Sequence, residues 1–209
     1  HSFETGLVCI LNTTNRHTET CRENSKCRFM LNLNPKQHRK TKHAGGDGEY
    51  IINNSLYLVL DNVLDTYNIG SLFRLADAAA VKEIILCGDT ETPPSSRIHK
   101  AAIGTEEWVK WRYFPTAREA IVQLKNEYPG ARVIAIEQDP RAIMYVDMHI
   151  MLDDDIPAIV VVGHETTGVS KNVLDMADKI VEIPMFGVNK SLNVHVAASI
   201  VLYKLISFV

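Results

Sequence analysis

From Tyr57 onward, short runs of consecutive apolar residues alternate with longer stretches in which apolar side chains return every three or four positions. The short runs suit strands buried on both faces, whereas the three-to-four spacing lays one apolar stripe along a helix. Strands are therefore predicted at Tyr57–Leu60, Glu83–Leu86, Arg132–Ile136, Ala158–Val162 and Ile180–Ile183, and helices at Ser71–Ala80, Ala117–Glu127, Lys171–Ala177 and Ser191–Ile206. Strand and helix in alternation imply an α/β fold, a mostly parallel sheet with helices on both faces. Leu72, Phe73, Leu75, Ala76 and Ala79 form the inward stripe of the first helix; Leu192, Val196, Ile200 and Tyr203 supply the apolar face of the last. Sheets of this kind bind ligands beyond the carboxyl ends of their strands, which directs attention to the loops after Leu60, Val162 and Ile183.

The first 49 residues lack this patterning and end in the glycine-rich stretch His43 to Gly48, so they read as a basic, poorly structured extension joined to a domain over 50–209. A chain of 209 residues, 46% hydrophobic, has room for one full core plus such a segment. The net charge of -3 hides an uneven distribution, because Arg16, Arg22, Lys26, Arg28, Lys36, Arg39, Lys40 and Lys42 face only Glu19 and Glu23 in their stretch. Such an arm is either a phosphate-holding surface or a solvated leader. Cys9, Cys21, Cys27 and Cys87 form no CxxC pair, and a zinc site from Cys21, Cys27, His38 and His43 matches no established ligand spacing, so reduced thiols and no metal are expected. No apolar run has the roughly 18 residues that span a membrane, and the start lacks the order of a secretory signal. The expected location is intracellular and cytoplasmic; since the sequence starts at His1, organelle targeting stays open.

Each of the three loops carries polar residues with both a local and a functional reading. In Asp61 to Arg74, Asn68 can cap the helix, Gly70 lets a backbone or phosphate approach the free amides, and Arg74 projects from the first turn or so; read locally, Arg74 merely pairs with Asp77. In the loop bounded by Gly163 and Gly168, Glu165 can accept hydrogen bonds from a bound group or orient an arginine, or it and His164 simply face solvent. In Ile183 to Ser199, Ser191 and Asn193 stand where helix caps are common, and His195 beside the apolar face reads as a core or interface histidine rather than a ligand. A dinucleotide turn GxGxxG, a GxxxxGK[ST] loop and a GxSxG elbow are all absent from the sequence, which disfavours dinucleotide oxidoreductases, P-loop enzymes and hydrolases.

Taken in order, the three segments resemble the SpoU/TrmH family of the SPOUT methyltransferases over roughly Leu60 to Leu205. The resemblance rests on Asn68, Gly70 and Arg74; on Gly163, Glu165 and Gly168, with His164 where the family usually has asparagine; and on Ile183-Pro184-Met185 followed by Ser191, Leu192, Asn193, Val194, Val196 and Ala197. Between them, Lys100 to Glu106 is similar to a segment that lies near the substrate in the family. The resemblance implies a C-terminal trefoil knot, an exception to the rule against threaded chains. It also implies S-adenosyl-L-methionine as cofactor, held at Gly163, Ile183, Met185 and Leu192, and methylation of a ribose 2'-hydroxyl in structured RNA; with no recognisable large RNA-binding domain in the sequence, tRNA is expected ahead of rRNA. Asn68, Arg74, Glu165, Ser191 and Asn193 are the implied catalytic set, and a homodimer the implied assembly. The arginine is the family's proposed general base, in tension with a guanidinium that stays protonated in proteins. Either a substrate phosphate helps Arg74 shed a proton, or Arg74 stays charged and the proton leaves by another path. The alternative is an RNA-binding module of the same fold without turnover, for which His164 and the basic arm are the hints.

Overall fold

The computed structural model describes residues 55–148 and 156–206. Seven strands occur there: β1 (Leu56–Asp61), β2 (Glu83–Cys87), β3 (Trp111–Phe114), β4 (Arg132–Ile136), β5 (Ile143–Met144), β6 (Ala158–Gly163) and β7 (Lys179–Glu182). Five α-helices accompany them: α1 (Thr66–Ala78), α2 (Ser96–Ala102), α3 (Ala117–Glu127), α4 (Lys171–Leu174) and α5 (Val194–Ile206). The strands form one sheet in the order β3-β2-β1-β6-β4-β7-β5, and every neighbouring pair is parallel. The expected α/β sheet is therefore present. The pairs Asp61 with Gly163 and Ile136 with Val181 bring the carboxyl ends of β1, β6, β4 and β7 side by side.

Alternation along each strand divides the core in two. Leu56, Leu58 and Leu60 of β1 pack with α1, α2 and α5, while Tyr57 and Val59 face α3 and α4. Helices thus cover both faces, as parallel sheets require. Among the described residues no helix is long and apolar enough to cross a membrane. The calls on the basic extension and on the imagined zinc ligands lie outside the described residues.

Five expectations need correction. Helix α1 starts at Thr66, five residues earlier than predicted, because Asp65 is its cap and accepts the Tyr67 N–H at 2.8 Å. Asn68 is consequently a buried helical residue rather than a cap, and Arg74 lies in the third turn, about 13 Å along the axis from the cap. Gly70 offers no open amides, since a Cβ there would lie 2.6 Å from both the Ala101 Cβ and the Ile98 carbonyl of α2. Its glycine serves the close crossing of two helices. The buried face of α5 is Ala198, Val201, Leu202 and Leu205; the predicted stripe leaves Leu192 38%, Val196 37% and Tyr203 47% exposed. A helix apolar on both sides gives periodicity nothing with which to choose the inner one. The remaining differences are of extent: α4 ends at Leu174, β7 at Glu182, and α5 begins at Val194. The half-exposed edge strand β3, the two-residue β5 and the short α2 were not predicted.

Candidate active site

The carboxyl ends of β4, β6 and β7 open onto a cleft of about 500 Å³. Gly163, Ile183, Met185 and Leu192, the four residues singled out for cofactor contact, all line it, as do Glu165, Ser191 and Asn193. Two short-range features shape its floor. Backbone bonds from the His164 N–H to the Gly168 carbonyl at 3.1 Å and back at 2.9 Å pinch the loop after β6. A Cβ on Gly163 would lie 2.2 Å from the Gly168 carbonyl carbon and the Val169 nitrogen, so only glycine permits that pinch. Within the loop the His164 Nδ1 accepts the Thr166 and Thr167 N–H groups at 2.9 and 3.3 Å. Asparagine side chains cap their own turns in this way with a carboxamide oxygen, so histidine keeps the loop's hydrogen-bonding pattern.

At the cleft mouth, side chains tie the start of α1 to two segments that each lie more than ninety residues further along the chain. Glu165 Oε1 accepts the Asn68 Nδ2 at 3.0 Å and the Asp65 N–H at 3.0 Å, and its Oε2 accepts the Leu64 N–H at 3.2 Å. The Asn193 Nδ2 donates to Asn68 Oδ1 at 3.0 Å, and Asn193 Oδ1 accepts the His195 N–H at 3.0 Å, which caps α5. Partial burial pulls the Glu165 carboxyl upward, but the bonds from Asn68 and from the Glu165, Asp65 and Leu64 amides outweigh it, and the net shift is downward. Glu165 is thus held ionised, with the Asn68 amide oriented by it.

Arg74 is exposed, lies outside the cleft lining, and has no hydrogen bond or ion pair among the described residues. The local alternative also fails, since Asp77 instead accepts the Trp108 indole N–H at 2.9 Å. Lys100 to Glu106 ends α2 and enters a tight turn, both packed against α1, and does not line the cleft.

The profile of the SpoU rRNA methylase family matches residues 55–203. The chain belongs to that family. A tRNA (guanosine(18)-2'-O)-methyltransferase of Escherichia coli (strain K12) is 30% identical over 152 residues, covering 71% of this chain and 62% of that protein. Its namesake from Thermus thermophilus is 32% identical over 149 residues, 71% and 73% of the two chains, and a 23S rRNA (guanosine-2'-O-)-methyltransferase of Neisseria meningitidis is 33% identical over 147, 70% and 56%. The chain therefore spans less than two thirds of the length of some of these relatives. Among solved structures, an AdoMet-bound rRNA methyltransferase from Sinorhizobium meliloti superposes with a TM-score of 0.65 at 27% identity, over 72% of this chain and 55% of that one. A TrmH/SpoU tRNA modifying enzyme of A. aeolicus gives 0.65 at 26%, over 74% and 75%.

Two parts of this SpoU-family site were missed from sequence. Glu137 follows β4, a strand end outside the three loops considered; its Oε2 accepts the Val169 N–H at 2.8 Å and secures the glycine loop. A carboxylate directly after a buried strand was the available signal. The other is the bond made by His195, a residue read as core or interface: it is half-buried with Nδ1 3.3 Å from Asn68 Oδ1.

Proposed function

We propose that the chain transfers a methyl group from S-adenosylmethionine to a ribose 2'-hydroxyl of structured RNA, tRNA ahead of rRNA. The observation that carries this reading is the direct bonding of Asn68, Glu165 and Asn193 at the mouth of the cleft that Gly163, Ile183, Met185 and Leu192 line. The cleft suits the cofactor in size and chemistry: its volume is within the range of small-molecule sites, and an apolar shelf of Ile183, Met185 and Leu192 meets a backbone rim at Gly163. When bound, the cofactor supplies a methyl activated by a sulfonium.

The chain's own task is then alignment and proton removal. Ile183, Met185 and Leu192 would hold the adenosyl and methionyl parts, Asn68 would orient the ribose with Glu165 fixing its amide, and Ser191 and Asn193 would shape the pocket. Arg74 stands apart from its own cleft, so in this reading it reaches the substrate across a two-fold boundary from a second copy. The exposed stripe Leu192, Val196 and Tyr203 supports such a pairing, because its cover would bury apolar surface. A trefoil knot threading the segment from β7 through α5, and a domain over 50–209 preceded by a basic arm that touches RNA, complete the proposal.

Labelled methyl transfer from S-adenosylmethionine to unmodified tRNA and rRNA tests it, with ribose mapping of the product. Incorporation at a 2'-oxygen is the expected result; RNA binding without incorporation would favour the binding-module alternative. Removing residues 1–45 should weaken RNA binding most at low salt and flatten its salt dependence, and an unchanged salt slope would exclude the arm.

A further inference from the structure

We propose that His195 is the proton acceptor of this site, taking the ribose hydroxyl proton on its Nε2; the inference rests on the functional reading above. The argument is one of hydrogen-bond bookkeeping. A carboxylate only accepts, so the Asn68 amide nitrogen must face Glu165, at 3.0 Å. Asn68 therefore turns its oxygen toward Asn193 and His195. The Asn193 amide is fixed likewise, because its oxygen already accepts the His195 N–H, leaving its nitrogen to donate to Asn68 Oδ1 at 3.0 Å. Facing a pure acceptor at 3.3 Å, His195 Nδ1 carries the hydrogen. Its neutral ring then has its lone pair on Nε2, which has no hydrogen-bond partner among the described residues.

The position suits the task. His195 lies in the first turn of α5, two residues beyond Asn193; Val194 and Ala197 beside it line the cleft, while its own ring stands outside that lining, against Asn68 at the mouth. The Tyr67 ring meets its ring edge-on with centroids 6.5 Å apart, a second restraint on its plane. A carboxylate, a carboxamide and an imidazole in sequence fix tautomer and orientation, as the third member of a nucleophile-base-orienter set does. Imidazole is also the side chain whose ordinary basicity suits proton transfer near neutral pH, which a guanidinium does not. As the 2'-oxygen bonds to the methyl carbon, the carbon–sulfur bond breaks with its electron pair going to sulfur. The hydroxyl proton passes to Nε2, and the imidazolium later returns it to solvent. Arg74 then stays charged throughout, its role confined to steadying phosphate or developing negative charge.

Two measurements test the assignment on the full chain. Nitrogen-15 correlation spectra of the histidine rings should show His195 as the Nδ1–H tautomer in the wild type; a dominant Nε2–H form overturns the proposal without any RNA. Single-turnover transfer to a pool of unmodified tRNA and rRNA transcripts should fall at least about 100-fold in His195→Ala and His195→Gln, with S-adenosylmethionine affinity by calorimetry within threefold. Added imidazole should restore part of the His195→Ala rate, which it would not do for a packing defect. A His195→Ala rate within threefold of wild type, or no rescue, overturns the inference alone. A wild type that methylates no RNA in the pool overturns the functional reading first.

Discussion

At the amino-terminal end of the strands, Arg112 lies between Glu83 and Glu127, with 2.8 Å to each carboxylate, and Lys82 sits over the rings of Tyr57 and Tyr128. At the carboxyl end, Glu165, Asn68 and Asn193 also bond one another, yet they stop short of closing: Ser191 is exposed, and the His195 Nε2 has no partner among the described residues. Both ends use charge-assisted bonds. The first set turns its charges on one another, with only the enclosed Arg112 Nε left without an acceptor among the described residues, whereas the second spends its bonds on orientation and keeps donors and acceptors for something else. Substitutions at the two ends should separate rate from stability.

The largest effect is expected from Arg74→Ala. An exposed arginine without a partner contributes little to folding, so the urea midpoint should stay within experimental spread. Methyl transfer to RNA should fall by about 1,000-fold or more, as when a charge-stabilising group is removed from a site, while cofactor affinity stays within a fewfold. Wild-type turnover would detach Arg74 from the chemistry and, with it, the case for a second copy at the site.

Glu165→Ala comes next and should affect both rate and stability. It leaves the Asn68 amide and the Leu64 and Asp65 N–H groups without their acceptor, at a cost of about 1–3 kcal/mol. Transfer should slow by about 100-fold as Asn68 loses its orientation. Its acid response has a definite sign. The folded carboxyl titrates below its usual range, so its contribution is complete above the unfolded value of about 4.3 and is lost as pH falls through the lower folded value. Wild type and Glu165→Ala should therefore draw together in stability as pH falls through that lowered folded value; a constant gap would refute the carboxylate's part in holding the loop.

Arg112→Ala is the matching change at the other end. It strips the counter-charge from Glu83, whose side chain is only 15% exposed, and an open, partly screened set of this kind is worth about 1–2 kcal/mol. Its methyl-transfer rate should stay within twofold at a temperature where it is folded. A rate loss as large as that of Glu165→Ala would dissolve the distinction between the two ends.

The same contrast governs what could be read from residue order. Strands β4 and β6 and helix α3 fell where their patterns predicted, because each is buried on a face that its own residues declare. The edge strand β3, half-exposed, and the two-residue β5 carry no such mark; their pairing is imposed by neighbours. The site divides similarly. The cleft-lining residues Gly163, Ile183, Met185 and Leu192 were legible through the order and spacing of motifs that resemble the family's, whereas strand ends alone pointed only to the loops that carry them. The links between loops were not, since Asn68 looked like a cap and bonds instead to residues about a hundred and more positions away. A local cap competes with a long-range bond for the same amide, and the winner here, Asp65 taking the cap, is settled only by the register of α1.

The smallest effect is expected at Lys82. Its ammonium lies 4.8 Å from the Tyr128 ring centroid and 3.5 Å from that hydroxyl, an exposed arrangement worth about 0.5–1 kcal/mol. Lys82→Met should lower stability by no more than this and leave transfer unchanged. The informative readout is spectroscopic. Bonding to Tyr57, and then to Lys82, draws the Tyr128 hydroxyl below its usual value, whereas burial holds Tyr57 well above. Alkaline difference absorbance should show an early tyrosinate in the wild type that moves to higher pH in Lys82→Met. If it does not move, the lysine is only a lid over two rings, and the mutually paired set at this end of the sheet reduces to Arg112 and its two carboxylates.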